Sequence, residues 1–356
     1  MSHQVRLLPS DRTFTVEAGE TVLAAALRAG IMLPYSCRGG VCGTCKAKVK
    51  SGEVDYGQYD AKAMSEAERA AGHALLCQAQ AKSDLVIEAR VLEQAADIPI
   101  RTLPCRVLRL ERAAPDVMIV SLKLPDNERF QYLAGQYIDI LLRDNARRSF
   151  SLAHAPGHDE LLELHIRHVP GGLFTGHVFE KMKERDLLRF QGPYGSFFLR
   201  DGSDPVILVA GGTGFAPMQA IIEQALAAQP DRPIHLYWGA RARQDLYRHE
   251  LPARWAEQHK NFHYTPVLSE PTPDDRWDGR TGFVHQAVVA DYPDLSAMGS
   301  SRGPQARDGL SADSGFEVYA SGPPVMIESI RREFLAHGLS PDRLYSDSFE
   351  FSHDRR

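Results

Sequence analysis

The chain has 356 residues, of which 43% are hydrophobic and 24% are charged, and its formal net charge is −5 at pH 7. This length predicts two or three domains with adequate cores, and the mild negative charge argues against a nucleic-acid partner, which usually binds a basic patch. No apolar run reaches transmembrane length, the N-terminus lacks a signal-peptide core, and the cysteines suit a reducing compartment. We therefore expect a cytoplasmic protein with neither a nucleic-acid nor a membrane partner.

Residues 1–92 are predicted to form a small α+β domain. The expected elements are, in order, strands at Val5–Leu8 and Thr13–Val16, a helix at Thr21–Ala29, and strands at Lys46–Val49 and Leu85–Val91. Thr21 is placed to cap the helix and Gly30 is placed to end it. The stretch between this helix and the third strand is rich in cysteine and glycine, and it carries the clearest chemical signal of the chain.

The cysteine pattern predicts an iron–sulfur centre. Cys37, Cys42 and Cys45 have the spacing C-x4-C-x2-C, and a fourth thiol is at Cys77. This is the plant-type spacing for a 2Fe–2S cluster bound by four thiolates, and the intervening glycines let the backbone approach the cluster closely. A zinc site normally has two C-x2-C pairs, of which only one is present, and a disulfide framework is typical of small secreted domains. The region resembles the plant-type ferredoxin domain, which implies a β-grasp fold over residues 1–92.

The middle region has the pattern of a small all-β domain. It follows a polar, proline-containing stretch at 93–103 that we interpret as a linker. From 104 to 200, short alternating apolar runs predict an antiparallel six-stranded barrel. The expected strands are Arg106–Leu110, Val117–Leu124, Tyr137–Leu142, Arg148–Ala153, Leu161–His168 and Leu187–Gln191. One helix is expected from Phe174 to about Met182.

Residues 201–356 have the pattern of an α/β domain. An apolar run at Val206–Ala210 is typical of a buried parallel strand, and a glycine-rich turn and a helix through Ala228 follow it. The other expected elements are strands at Ile234–Trp238, His263–Val267 and Glu317–Ala320 and a helix at Val325–His337. This alternation predicts a doubly wound nucleotide-binding domain. Residues 296–314, rich in Ser, Gly, Arg and Asp, are expected to be a flexible insertion without a function of its own.

Two motifs in the middle region predict a flavin site. Arg148-Ser149-Phe150-Ser151 lies on an expected strand, and Gly171-Gly172 enters a helix, where unpaired N–H groups can bind a pyrophosphate that Arg148 can pair with bidentately. Together they resemble the flavin-binding signatures of the ferredoxin–NADP reductase superfamily. The resemblance implies that Arg148 binds an FAD phosphate, that Phe150 stacks on the flavin and that Ser151 hydrogen-bonds its edge. The implied flavin-site residues are Arg148, Phe150, Ser151, His165, Arg167, Gly171, Gly172 and Thr175.

Two further motifs predict a nicotinamide nucleotide site. The segment from Gly211 to Pro217 follows a strand and opens a helix, the context in which a glycine cluster binds a dinucleotide pyrophosphate. It resembles the superfamily's G-G-T-G-x-A-P motif, and the segment from Ser321 to Pro324 resembles its C-G-P-P motif, with serine for cysteine beside the nicotinamide. Arg241 or Arg243 can bind a ribose 2′-phosphate, but Asp245 is nearby, so we expect NADH, with NADPH as the alternative. The implied nucleotide-binding residues are Gly211, Gly212, Thr213, Gly214, Pro217, Arg241, Gly322 and Pro323.

The motifs in this order imply an electron-transfer oxidoreductase. Ser151 and Ser321 are the implied residues at the reacting centre, together with Phe349, or else Phe351, which corresponds to the aromatic that covers the flavin. Electrons are expected to pass from NAD(P)H to FAD, then to the cluster and then to a partner protein. The chain resembles both the CDP-6-deoxy-3,4-glucoseen reductases, which serve a CDP-sugar 3-deoxygenation dehydratase, and reductase components of Rieske or diiron oxygenases. The alternative is a flavin reductase whose N-terminal domain is a zinc-binding interaction module.

Overall fold

A computed structural model describes residues 2–95, 97–143, 146–157, 161–296 and 315–349. These residues fall into two compact units: the chain up to Arg101 together with Gly192–Phe197, and Thr102–Gln191 together with Phe198–Phe349. Apart from Ser296, the insertion predicted at 296–314 lies outside the described residues, as does Phe351. None of the helices within the described ranges combines the length and the apolar character that a membrane crossing requires.

The first unit is built on a five-stranded mixed sheet. Its elements are β1 (His3–Leu8), β2 (Thr13–Val16), α1 (Val22–Arg28), β3 (Lys46–Ser51), β4 (Val54–Asp55), α2 (Glu66–Ala70), β5 (His73–Leu75), β6 (Gln80–Ala81) and β7 (Leu85–Glu88). The strand order is β2-β1-β7-β3-β5, with β1 parallel to β7, and β4 pairs with β6 separately. Thr21 Oγ1 accepts the N–H of Ala24 at 3.3 Å, so the predicted helix cap is confirmed.

The second unit begins with a six-stranded sheet. Its elements are β8 (Arg101–Ala114), β9 (Val117–Lys123), β10 (Tyr137–Leu141), β11 (Arg147–Ser151), β12 (Leu161–Arg167), α3 (Leu173–Glu180) and β13 (Leu187–Tyr194). The order is β11-β10-β13-β8-β9-β12, and an antiparallel bridge between Leu152 and Leu164 joins its two edge strands. The predicted six-stranded barrel is therefore confirmed. Its apolar core includes Cys105.

The first barrel strand is longer than the sequence predicts. It starts at Arg101, inside the predicted linker, because burial alternates through Leu103, Cys105 and Val107 while Pro104 takes an exposed position. A proline at an exposed position need not interrupt a strand.

The rest of the second unit is a parallel sheet with helices between its strands. Its elements are β14 (Val206–Gly211), α4 (Phe215–Ala228), β15 (Ile234–Ala240), α5 (Glu250–Gln258), β16 (Phe262–Leu268), β17 (Arg280–Thr281), α6 (Val284–Asp291), β18 (Glu317–Gly322), α7 (Pro324–Ala336) and β19 (Leu344–Ser348). The order is β17-β16-β15-β14-β18-β19, with every neighbouring pair parallel. The predicted doubly wound domain is confirmed. Strand β19 was not predicted from the sequence, and it proves important for the site.

Candidate functional site

The first candidate site is the cysteine loop between α1 and β3. Cys37 and Cys42 are half-buried, whereas Cys45 and Cys77, the latter just after β5, are buried. A hydrogen bond from Cys42 lowers the pKa of Cys37 to about 5. In the second pair, the hydrogen bond that Cys45 donates to Cys77 raises the pKa of Cys45. The four predicted thiols therefore lie together as two adjacent pairs.

The pairing of the thiols can be compared with the ligand arrangements of the two metal centres considered for the loop. A structural zinc needs four ligands around one ion, whereas four thiolates hold the two irons of a 2Fe–2S cluster, two at each iron. Two adjacent thiol pairs therefore match the two-plus-two ligation of a dinuclear cluster.

The backbone of the loop also suits a cluster. The N–H of Gly39 donates to Cys37 Sγ at 3.3 Å, and the N–H of Gly40 hydrogen-bonds Cys77. Gly40 has a φ of +76°, and a Cβ there would lie 2.8 Å from Gln78 Cγ, so a larger residue would not fit. Amides directed at thiolate sulfurs stabilise the negative charge of a bound cluster and tune its potential.

A segment distant in sequence completes the loop within the first unit. The N–H of Tyr35 donates to Ser196 Oγ at 2.8 Å, and the N–H of Ser196 donates to the carbonyl of Tyr35 at 2.9 Å. The Arg38 guanidinium lies 3.8 Å from the centre of the Tyr194 ring, in a cation–π contact. Arg38 has a φ of +53°, which a non-glycine residue adopts only where its surroundings fix it. No local sequence signal marks these contacts.

The second candidate site begins on β11. Register pairs Ser151 with Tyr137 of β10, and Ser151 is buried. Phe150 packs on Phe174 of α3, with 5.4 Å between ring centroids. Arg148 is half-buried and lies on the same face of β11 as Phe150.

The glycine turn before α3 has the geometry of an anion site. Gly171 has a φ of +76°, and Gly172 is the N-cap of α3 with no side-chain cap. The hydroxyl of Thr175 accepts the N–H of Val169 at 3.1 Å and donates to its carbonyl at 3.2 Å. Thr175 therefore shapes the turn, and the donors available for an anion are the first N–H groups of α3.

The two other predicted flavin-site residues, His165 and Arg167 of β12, have different surroundings in the structure. Both ring nitrogens of the buried His165 are occupied, Nδ1 by Tyr247 Oη at 2.8 Å and Nε2 by Glu163 Oε1 at 2.9 Å. We therefore assign His165 to a buried polar cluster and not to cofactor contact. Arg167 lies against the Gly211–Gly214 turn, since a Cβ on Gly212 would be 2.9 Å from the Nη1 atom of Arg167. Its buried Nη2 has no hydrogen-bond partner among the described residues, which fits an anionic group of a bound nucleotide.

The two nucleotide motifs pack directly against each other. A Cβ on Gly211 would lie 2.6 Å from Met326 Sδ, and one on Gly214 would lie 2.0 Å from the carbonyl oxygen of Ser321. Gly322 has a φ of +151° and also approaches Gly211 closely. The surface that they form is at the carboxyl ends of β14 and β18, where doubly wound sheets bind nucleotides. The other predicted residues of the two motifs lie in the same place: Gly212, Thr213, Pro217 and Pro323.

The predicted reacting centre contains a carboxylate that sequence reasoning missed. Strand β19 pairs with β18 and places Asp347 opposite Ser321. Ser151 Oγ donates to the buried Asp347 carboxylate at 3.4 Å, and the N–H of Phe349 donates to the carbonyl of Gly322 at 3.0 Å. Ser321 Oγ is fully buried and has no hydrogen-bond partner among the described residues. Asp347 carries no local motif, and only the strand pairing brings it here.

Charged and aromatic residues lie at the carboxyl ends of β15 and β16. Arg241 Nε is 3.8 Å from Asp245 Oδ2, and the backbone N–H of Arg243 donates to Asp275 Oδ1 at 2.9 Å. Phe283 is 61% exposed, although it is large and apolar. It lies between Gly282, whose N–H donates to the end of β16, and Val284, which contacts the end of β15. An exposed aromatic in this crevice is suited to stack on a base.

Three family models match the chain in consecutive regions. A 2Fe-2S iron-sulfur cluster binding domain matches residues 5–82, an oxidoreductase FAD-binding domain matches 104–199, and an oxidoreductase NAD-binding domain matches 208–332. The predicted 2Fe–2S, FAD and NAD(H) cofactors and the three-part fold are thereby confirmed, and the zinc alternative is not supported. The residue roles and the domain boundaries stay predictions.

Full-length similarity extends to named reductases. The chain is 40% identical over 349 residues to a CDP-6-deoxy-L-threo-D-glycero-4-hexulose-3-dehydrase reductase of Yersinia pseudotuberculosis serotype I (strain IP32953), covering 98% of this chain and 99% of that protein. It is 37% identical over 353 residues to DmpP, the reductase component of phenol 2-monooxygenase of Pseudomonas sp. (strain CF600), covering 98% and 95%. The crystal structure of the Amycolatopsis cytochrome P450 reductase GcoB matches with a TM-score of 0.76 and 36% identity, covering 98% of each chain.

Proposed function

The chain belongs to the family of iron–sulfur flavoprotein reductases with ferredoxin, FAD-binding and NAD-binding domains, and we propose that it passes electrons from NADH singly to a protein partner. When bound, FAD accepts electron pairs as hydride and the 2Fe–2S cluster carries one electron at a time. The proposed cluster ligands are Cys37, Cys42, Cys45 and Cys77. The observation that carries the proposal is the two-and-two pairing of these thiols, three of which lie in the loop between α1 and β3 and the fourth just after β5.

The proposed roles of the flavin and nicotinamide residues follow from their positions. Arg148 and the N–H groups at the start of α3 bind the FAD phosphates, and Phe150 packs against the flavin. Arg167 binds a phosphate of the nicotinamide nucleotide, because its half-buried guanidinium lies against Gly212 and its Nη2 has no hydrogen-bond partner among the described residues. Ser151 and Asp347 form a hydrogen-bonded pair beside Ser321, and this polar group orients the reacting rings and can hold a proton at the carboxylate.

We propose NADH over NADPH as the coenzyme. The two arginines available to a ribose 2′-phosphate each have a carboxylate beside them, Asp245 near Arg241 and Asp275 near Arg243. A 2′-phosphate would bring further negative charge close to both carboxylates, which is unfavourable. Steady-state kinetics with both coenzymes test this choice, and a higher kcat/KM with NADPH would refute it.

The proposed acceptor is either an oxygenase component or a CDP-sugar dehydratase, since proteins similar to this chain are named as reductases of both kinds. Reconstitution separates them. The chain is mixed anaerobically with NADH and with each candidate partner encoded near its gene, and product formation per NADH consumed is measured. We expect coupled turnover with one partner class only. We also propose a cytoplasmic location, because the cluster thiolates must stay reduced during assembly.

The electron route is tested on the purified protein. We expect iron and acid-labile sulfide, bound FAD, and NADH-dependent reduction of cytochrome c. A Cys105→Ala variant should behave as the unaltered chain, because Cys105 is buried in the barrel core, away from the cysteine loop. Material that contains FAD but neither iron nor sulfide would refute the proposed route.

A further inference from the structure

A buried polar cluster in the second unit is not used by the roles proposed above. At its centre is Glu163 of β12, whose side chain is 9% exposed. Its carboxylate accepts hydrogen bonds from Arg248 Nη1 at 2.8 Å and Nη2 at 3.1 Å, and it contacts His165 Nε2 at 2.9 Å and His154 Nε2 at 3.4 Å. Burying a carboxylate costs free energy even when it is paired. An apolar residue would serve the barrel core equally well, so the charge calls for another explanation.

The partners of this cluster come from two parts of the unit. Glu163, His165 and His154 belong to the barrel chain, whereas Arg248 lies between β15 and α5. The nucleotide-binding half contributes a second acceptor on α4, Glu223, which takes the backbone N–H of Ala155 at 3.0 Å and contacts His154 Nδ1 at 3.2 Å. The cluster therefore joins β12 and the chain after β11 to α4 and the start of α5.

This buried polar cluster is connected by packing contacts to the Gly211–Gly214 turn. The ring of His165 stacks on Phe215, the first residue of α4, with 6.4 Å between centroids. Phe215 in turn stacks on Trp238 at 4.0 Å, and Trp238 Nε1 donates to the carbonyl of Gly212 at 2.9 Å. Tyr247, which hydrogen-bonds His165, packs edge-on against Trp238 at 5.3 Å. A continuous chain of contacts thus runs from the carboxylate to the backbone of the turn.

We propose that Glu163 is a positioning residue for hydride transfer. Through Arg248 and His165 it holds the Gly211–Gly214 turn at a fixed place relative to β11 and β12. This inference rests on the proposed function. The Gly211–Gly214 turn carries the nicotinamide nucleotide and β11 carries the flavin contacts. The buried polar cluster therefore sets the distance and orientation between the two reacting rings. A displacement of about 1 Å between reacting groups can slow a reaction by about 100-fold. The bidentate Arg248–Glu163 pair is suited to fix both direction and distance.

The test uses the FAD-loaded full chain and the Glu163→Gln substitution. We expect the rate of flavin reduction at saturating NADH to fall about 10- to 100-fold. We expect the affinity for ADP-ribose, measured by calorimetry, to change by less than about threefold, because ADP-ribose needs the turn but not its alignment with the flavin. The long-wavelength absorbance of the nicotinamide–flavin complex should weaken as well. Glu111→Gln is the matched control, since Glu111 forms an exposed pair with Arg109 in the same barrel.

A double variant separates positioning from stability. Arg248→Met alone leaves Glu163 buried without its main partner, whereas Glu163→Gln/Arg248→Met removes both charges and should recover much of the unfolding temperature. We expect the rate of flavin reduction to stay low in the double variant. Recovery of the rate together with stability would overturn the inference, as would an unchanged rate in Glu163→Gln or a parallel loss of ADP-ribose binding. If the unaltered chain showed no NADH-dependent flavin reduction, the proposed function itself would fall, and this inference with it.

Discussion

Gly214 offers the sharpest steric test of the nucleotide site. A Cβ at this position would lie 2.0 Å from the carbonyl oxygen of Ser321 and 3.0 Å from the backbone N of Gly322. Cβ contacts essentially never fall below 3.0 Å, so the Gly211–Gly214 turn and the backbone at Ser321 would have to separate by about 1 Å. The φ of Gly214 is −58°, which alanine adopts freely, so the clash is the whole perturbation. For Gly214→Ala we expect kcat/KM for NADH to fall about 100-fold.

Stopped-flow absorbance under anaerobic conditions measures this effect. Flavin reduction by NADH should be slow in Gly214→Ala, while reduction by dithionite, which needs no nucleotide site, should keep its normal rate. The matched control is Gly176→Ala in α3, where an added Cβ meets nothing within 4 Å and alanine favours the helix. A normal NADH rate in Gly214→Ala would refute the account of the two packed motifs, and loss of FAD in that variant would show that the perturbation is not confined to the turn.

Three further predictions concern the cluster, the adenosine end and pH. Cys45→Ala should abolish cytochrome c reduction and leave NADH-dependent ferricyanide reduction largely intact; equal loss of both would contradict the order flavin first, cluster second. Phe283→Leu should raise the KM for NADH about tenfold, since base stacking contributes about 1–3 kcal/mol. The KM for reduced nicotinamide mononucleotide, which lacks adenosine, should not change. An equal change in both KM values would exclude stacking of Phe283 on the base. Burial opposes the charge on His154, but hydrogen bonds to Glu163 and Glu223 outweigh it and raise the pKa of His154 to about 9. Because the ordinary pKa is 6.5, this stabilisation is complete below pH 6.5 and is lost as the pH rises through 9. The unfolding temperature should therefore fall over that range, less steeply in His154→Asn; identical slopes would argue against a charged His154.

The parts of the site that the sequence could predict are local in the chain. The cysteine loop, the Gly171-Gly172 turn and the Gly211–Gly214 turn each combine their chemistry and their backbone requirement within a few residues, so spacing alone identifies them. The same holds for strands and helices with a clear apolar period. His165 shows the weakness of this reasoning. It lies next to a flavin motif in sequence, but β12 turns its side chain into the buried cluster.

The parts that could not be predicted depend on pairing between distant segments. Arg248 reaches Glu163 across 85 positions of sequence, and no periodicity or spacing connects them. Strand β19 has no alternating pattern of burial, because four of its five residues are half-buried. Asp347 therefore has no local signature, and it joins the site only through the parallel register of β18 and β19.

Ser321 places a polar group at the site that packing alone does not explain. The residue is fully buried in β18, and its hydroxyl finds no partner among the residues that the structure describes. A buried hydroxyl without a partner costs about 1–3 kcal/mol, and the serine could be alanine if packing were its only role. Arg167, which lies against Gly212, likewise has a buried Nη2 without a hydrogen-bond partner among the described residues. Two such donors beside one turn are unfavourable when unpaired, and a nucleotide that supplied acceptors to both would remove that cost. Buried donors of this kind favour an occupant that carries oxygen acceptors, as a nucleotide does.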